Sequence, residues 1–258
     1  MKQSSFTAQE LFAMAFLMNK QKMYGIPDVM GQARTVALQE ALDGLVAQGV
    51  ADMNIDGQIH LREDYHRLVD SYCDCNRCLT VNVRKQTGAE ESVIFWLYDS
   101  SYFMAEVMDE HYVFSRADAE TVSALITQAL YKEHTEKSDW ELVIPQTELL
   151  KARRACIRGK LEEATQILRQ NGAGVNVASF VIQGLQKNAY YFGVVSMLIE
   201  NSACEKKDLT YLVNDNSALR LDQTVANLRT CAKFSSVSSE EMQHTVKTLV
   251  DEFMQGGE

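Results

Sequence analysis

From Leu79 onward the apolar residues recur every second position. "LTVNVRK", "SVIFWLY", "YFMAEVMD" and "HYVFS" follow one another with short polar turns between them. Successive side chains of a strand point to opposite faces, so this alternation marks strands. The turns "QTGAEE" and "DSS" join them into a four-stranded antiparallel meander. The same order returns at an offset of 116 residues. Leu79, Val81 and Val83 align with Val195, Met197 and Ile199, Leu97 aligns with Val213, and the turn at Asp99–Ser101 aligns with Asp215–Ser217. After a four-residue insertion, Phe114-Ser115 aligns with Phe234-Ser235 and Glu120 with Glu240. A repeated unit of strands and a helix restricts the fold more than any single motif can. Two such halves pair across a pseudo-two-fold axis, and their sheets merge. The expected fold is α+β: a central antiparallel sheet carrying two helical lobes.

The segments outside the meanders read as helices. Thr7 followed by Glu10 is a capping box, which starts a helix near Ala8. A second helix runs through "ARTVALQEALDGLVAQG" and ends at Gly49. A hairpin turns at Asp56-Gly57 and a third helix covers Glu63–Tyr72, which gives a winged-helix-like start with the hairpin ahead of the last helix. A helix in "ADAETVSALITQALYKE" closes the first half, residues 1–133. The polar stretch "HTEKSDWELVIPQ", residues 134–146, reads as a connection. The second half, 147–258, opens with three helices, "TELLKARRACIRG", "KLEEATQILRQNG" and "VNVASFVIQGLQK". Strands follow in "YYFGVVSMLIE", "DLTYLVND", "SALRLDQ" and "LRTCAKFS". The last helix is capped by Ser238 with Glu241 three residues on. Glu10 lies 69 residues before Leu79 and Glu148 lies 47 before Val195, so only the first half has room for the wing.

Bulk properties narrow the function. The 258 residues carry a net charge of −10, and phosphate backbones demand cations, so nucleic acid is not an expected partner. Arg84-Lys85 and the stretch Lys151 to Lys160 are the basic candidates, and the latter reads as a solvated helix face. The longest apolar run, residues 11–18, is shorter than a bilayer span and has Glu10 directly before it. It reads as a buried helix rather than a signal peptide or a membrane insertion. A cytoplasmic location is expected, where thiols stay reduced.

Three of the six cysteines sit in "YCDCNRC": Cys73, Cys75 and Cys78. Structural zinc wants four ligands in a tetrahedral array, and a second Cys-x-x-Cys pair is absent. Cys156, Cys204 and Cys231 are isolated, and His66, nearer than His60, falls within a helix. A thioredoxin-like site places Cys-x-x-Cys at a helix start after a strand, whereas this triplet follows a helix and precedes a strand. The thiols read as small, partly buried residues at that junction. Neither a metal nor a cofactor is expected, and serine at all three positions is expected to leave the fold nearly intact.

Catalytic patterns are equally sparse. "GAG" at 172–174 follows a helix rather than a strand, no Gly-x-Ser-x-Gly elbow occurs, and the five histidines are scattered. The expectation is a protein that is not an enzyme. Aromatic and methionine residues crowd the predicted strands, from Phe95 and Trp96 to Tyr112 and Phe114, as in binding modules. The alternative is a winged-helix transcriptional regulator with a C-terminal ligand-sensing or dimerisation domain. Its second and third helices offer Arg34, Arg62, His66 and Arg67 against Glu40, Asp43, Glu63, Asp64 and Asp70, a balance that argues against DNA.

Three segments carry a resemblance to a known family. "SFTAQEL" ahead of a helix, "ALQEALDGLVAQGV" ahead of a hairpin and "LTVNVRKQTGAEESVIFWL" as a paired strand unit resemble the EspG-like proteins, cytosolic chaperones of type VII secretion systems. The likeness is one of layout and hydrophobic pattern and extends through nearly the whole chain. It implies a quasi-two-fold sheet with two helical bundles. It also implies a non-enzymatic role, holding a helical secreted protein through the sheet, its loops and the C-terminal lobe. By position, Val177, Phe180, Tyr190 and Tyr191 are the candidate partner-binding residues.

Overall fold

The computed structural model describes residues 4–27, 34–85, 87–130, 135–186, 189–200, 203–214, 217–226 and 228–255. The first half holds β1 (Ser4–Thr7), α1 (Ala8–Leu17), α2 (Arg34–Ala47), a hairpin of β2 (Ala51–Met53) and β3 (Ile59–Leu61), and α3 (His66–Cys73). Then come β4 (Arg77–Arg84), β5 (Glu90–Tyr98), β6 (Ser101–Met108), β7 (His111–Ala117) and α4 (Ala119–Ala129). The second half holds β8 (Glu141–Pro145), α5 (Gln146–Ile157), α6 (Leu161–Gln170) and α7 (Val175–Leu185). It ends with β9 (Tyr190–Glu200), β10 (Ala203–Asn214), β11 (Ser217–Ala226), β12 (Arg229–Val237) and α8 (Ser239–Met254).

Helix starts are decided locally. The Thr7 hydroxyl accepts from the Glu10 N–H at 3.2 Å while the Glu10 carboxylate accepts from the Thr7 N–H at 2.8 Å, closing the capping box of α1. Ser238 and Glu241 close the same box on α8, both contacts at 3.2 Å. Asp118 caps α4 by accepting from the Thr121 N–H at 2.8 Å. Each cap satisfies donors that the first helical turn would otherwise leave unpaired.

Ten strands form one antiparallel sheet in the order β1-β7-β6-β5-β4-β9-β10-β11-β12-β8. The order is palindromic about the β4–β9 junction, as the repeat requires. Ile94 faces Ala105 in the first half, and Thr210 faces Leu221 in the second, 116 residues on in both strands. Two strands escape a reading by pattern. β1 is hidden in the capping sequence and pairs with β7 at one edge. β8 lies within the polar connection 134–146 and pairs with β12 at the other edge, with Leu142 and Ile144 buried. The turn residues Asp215 and Asn216, and His134, lie outside the described residues.

One part of the repeat alignment is corrected by the register. Phe95 faces Leu79, and its counterpart Tyr211 faces Phe192. Leu79 therefore corresponds to Phe192, three positions before the Val195 that an ungapped alignment selects. The β4–β5 connection is longer than the β9–β10 one, and an odd slip moves every side chain to the other face. Leu79, Val81 and Val83 thus share a core with Phe192 and Val194, whereas Met197 and Ile199 pack on the opposite face.

The sheet is buried on both faces by different means. On one face α4 and α8 cover a shared core that includes Leu79, Phe95, Phe192, Tyr211 and Phe253. On the other, two lobes stand apart. α1, α2, α3 and the β2–β3 hairpin cover the first, built on Leu11, Tyr72, Trp96 and Phe114. α5, α6 and α7 cover the second, built on Ile144, Leu168, Val181 and Phe234. Trp96 stacks on Phe114 with centroids 5.6 Å apart, and the Tyr72 hydroxyl donates to the Leu11 carbonyl at 2.9 Å. On the two-helix face each half grips the other. The Arg77 guanidinium donates to the Glu252 carbonyl near the end of α8, and the Tyr190 hydroxyl donates to the Ala129 carbonyl at the end of α4.

Candidate functional site

The two lobes leave the centre of their face of the sheet uncovered, and a cleft of about 660 Å³ opens there beside the C-terminal lobe. α7 can lie close to the sheet because it carries Gly184. A Cβ there would meet the Leu212 Cβ at 3.2 Å and the Leu219 Cδ1 at 3.3 Å. Leu149, Leu150 and Arg153 of α5 and Leu185 of α7 form one wall. Leu150 keeps 44% of its surface exposed.

The floor is Tyr191, Leu212, Leu221 and Val107, with Asn82 and Ser92 between them. Ser92 donates to the Asn82 side-chain oxygen at 2.7 Å, which joins β4 to β5 across the floor. Tyr191 lies along β9 over Gly193, and the Arg84 guanidinium stands 6.0 Å from its ring centroid. The Arg84 Nε also donates to the Ala189 carbonyl at 3.4 Å. Opposite the apolar wall, Glu90 and Glu91 beside the β4–β5 turn and Asp109 and Glu110 in the β6–β7 turn make an acidic rim. Asp109 and Glu110 hold φ of 48° and 67°, the left-handed pair that a tight hairpin turn demands. An apolar wall and floor with an acidic rim can seat a helix face bordered by cations.

The structure separates the four residues chosen by position. Tyr191 lines the cleft. Tyr190, its neighbour, points to the other face, where burial pushes its hydroxyl up to about 12. Val177 packs half-buried against the C-lobe core, and Phe180 lies 6.3 Å from the Trp140 ring. Sequence reading passed over Leu149, Leu150 and Arg153. The signal available was Arg153 within "KARRACIRGK", a stretch read as a solvated face. Arg84, chosen there as a possible nucleic-acid contact, instead braces Tyr191.

The cysteine triplet lies away from this cleft. Cys73 ends α3, Cys78 is in β4, and all three thiols are buried. Burial pushes the Cys73 thiol up to about 12 and the other two up as well, which suppresses thiolate and hence reactivity. Among the described residues no three His, Cys, Asp or Glu side chains are placed to hold a metal ion. Cys78 is 0% exposed and packs in the core of the N-terminal lobe, with its side chain hydrogen-bonded to that of Thr80. His66 Nε2 sits 3.2 Å from the Leu61 carbonyl. Two cations of the winged-helix-like segment are engaged within the molecule. Arg62 donates to the Gly49 carbonyl at 3.2 Å, and Arg67 donates to Asp99 and Ser101, both at 3.3 Å. Among the described residues no helix is long and apolar enough to cross a membrane.

No protein-family model and no curated protein matches the sequence. Among solved structures the fold is similar to the Mycobacterium tuberculosis type VII secretion system chaperone EspG5, solved in complex with the PE25-PPE41 dimer. The TM-score is 0.54 and the identity 12%, with 97% of this chain and 96% of that chain covered. The likeness is one of fold and spans nearly the whole of both chains.

Proposed function

We propose that this chain is a non-enzymatic chaperone or adaptor that works in the cytoplasm and holds a helical, secreted protein of a type VII-like secretion system. The observation that carries the reading is the cleft between the C-terminal lobe and the sheet, with an exposed leucine wall, an aromatic floor and an acidic rim. A helix laid there would cover Leu150 and Tyr191 with its apolar stripe and place flanking cations against Glu90, Asp109 and Glu110. The fold similarity supports the reading, because the similar chaperone was solved with a protein dimer bound. The role needs neither metal nor cofactor.

The test is co-expression with small helical proteins encoded beside this gene, followed by size exclusion with light scattering. A stable complex is expected. Leu150→Glu and Tyr191→Ala should each weaken it about ten-fold or more, as loss of a buried interface anchor does. Retention of no helical protein, or a complex indifferent to both substitutions, would overturn the proposal.

A further inference from the structure

The C-terminal lobe carries a second surface, on the outside of α5. Arg153, Arg154, Ile157 and the capping Arg158 follow Leu150 by three, four, seven and eight positions, so the five share one helical face. Leu149, Ala152, Ala155 and Cys156 take the opposite face and are buried in the lobe's core. Leu150, Ile157 and Leu161, the first residue of α6, keep 44%, 48% and 41% of their surface exposed. Single exposed aliphatics are ordinary, whereas a group of them on one patch marks a contact surface. None of the stretches outside the description borders this face. Residues 131–134 end at Thr135, whose N–H donates to the Ser239 hydroxyl of α8 at 3.5 Å, on the other face of the sheet. Residues 187–188 lie between Gln186 and Ala189, which are bridged by a hydrogen bond of 3.2 Å. The remaining ones adjoin the N-terminal strand and lobe, the hairpin turns and the end of α8.

Charge is concentrated on the same face. Residues 149–161 hold five cations and no acid, in a chain of net charge −10. Lys151 and Lys160 are engaged by Glu148 at 2.8 Å and Glu163 at 3.5 Å. The guanidinium groups of Arg153, Arg154 and Arg158 have no ion-pair or hydrogen-bond partner among the described residues. Unpaired guanidinium groups set among exposed aliphatics call for a partner that offers anionic oxygens and an apolar layer together. Gly159, with φ of 73°, turns the chain between Ile157 and Leu161, so the aliphatics spread over two helices instead of forming a seam along one. A partner helix needs such a seam, and a nucleic-acid backbone would use the arginines and leave the aliphatics in water. A lipid surface uses both.

We propose that the outer face of α5 is a peripheral docking surface for an anionic lipid layer, with Arg153, Arg154 and Arg158 on the headgroup phosphates and Leu150, Ile157 and Leu161 at the acyl boundary. The same lipid charge repels the acidic remainder of the chain, which turns this face toward the layer. The contact is interfacial and reversible, and no helix crosses the bilayer. Arg154, Ile157 and Arg158 do not line the cleft, so the proposal does not depend on what the cleft holds.

The test sediments the full chain with sucrose-loaded vesicles of phosphatidylcholine, with and without phosphatidylglycerol. The chain should pellet with the phosphatidylglycerol vesicles at low salt, remain in solution with phosphatidylcholine alone, and be released by high salt. Arg154→Gln and Arg158→Gln should each weaken partitioning about five-fold, the scale of one cation at an anionic surface. Arg158→Lys, which keeps the charge, should retain it. Ile157→Ser should weaken partitioning and leave its salt dependence unchanged. All four substitutions are at exposed positions and should leave Tm unchanged. No sedimentation with phosphatidylglycerol, equal sedimentation with both vesicles, or partitioning indifferent to the two glutamine substitutions would overturn the proposal. So would inorganic phosphate alone saturating the amide shifts of Arg154 and Arg158, the mark of a free-anion site. A soluble helical peptide of Glu and Leu that shifts the Ile157 amide while vesicles do not bind would replace the lipid by a protein partner.

Discussion

Tyr191 and Gly193 are coupled by space: a Cβ on Gly193 would stand 2.5 Å from the Tyr191 hydroxyl oxygen and 2.9 Å from the ring carbon bearing it. The ring can lie flat on the cleft floor only because position 193 has no side chain. Gly193→Ala should therefore lift the ring, at a cost of about 1 kcal/mol, the low end for overpacking because the obstructing group is a mobile side-chain tip. In a Tyr191→Ala background the same substitution should cost nothing measurable. Urea unfolding of the four proteins gives the coupling, and equal costs in both backgrounds would refute the contact.

The clasps across the dyad should matter for stability. Tyr190→Phe removes a donor to the Ala129 carbonyl and should cost about 1 kcal/mol. Arg77→Ala removes a cation from the end of α8 and should cost about 1–2 kcal/mol, because both a hydrogen bond and a helix-dipole contact are lost. Thermal denaturation measures both.

Alkaline pH should weaken the fold through the buried thiols. Cys73 titrates at about 12 when folded against 9.0 for an ordinary thiol. Between those values the unfolded chain has lost a proton that the folded chain keeps, so stability falls as pH rises. The stabilisation is whole below pH 9.0 and disappears toward about 12. Urea midpoints at pH 8 and 10 should fall in the native protein and fall less when Cys73, Cys75 and Cys78 are alanine.

Serine at Cys73, Cys75 and Cys78 together should leave the fold nearly intact, since a hydroxyl at position 78 keeps a hydrogen-bond partner in Thr80; a large fall in Tm would count against this. Cys204, the exposed cysteine, should react with iodoacetamide at neutral pH well before the buried five. Mass spectrometry of the native protein checks the order.

Loss of a cap should show in each half alike. Thr7→Ala and Ser238→Ala should each cost about 1 kcal/mol by the removal of an N-cap acceptor. Restoration by aspartate, a comparable cap, would separate capping from packing.

Much of this architecture was legible in the chain, because the signals are local. Alternation marked β4 to β7, the Thr7–Glu10 and Ser238–Glu241 pairs marked the starts of α1 and α8, and the recurrence of the meander marked the duplication. β1 and β8 were not legible. Their buried side chains are few, Phe6 in β1 and Leu142 and Ile144 in β8, and a strand that short is held by its neighbour rather than by its own pattern. The cleft was half legible: Tyr191 and Arg84 were noticed, but for reasons unrelated to their contact.

The sequence by itself determined the order of the helices and of the meander strands, the antiparallel class and the near equivalence of the halves, since these follow from periodicity and capping within a few residues. Only the tertiary structure decided which face each side chain takes on β9, where Tyr190 and Tyr191 part company. It also decided that α4 and α8 cover one shared core on the same face of the sheet. Both depend on register and on contacts across the dyad, between residues such as Arg77 and Glu252, far apart in the chain, and no local signal encodes such a pairing.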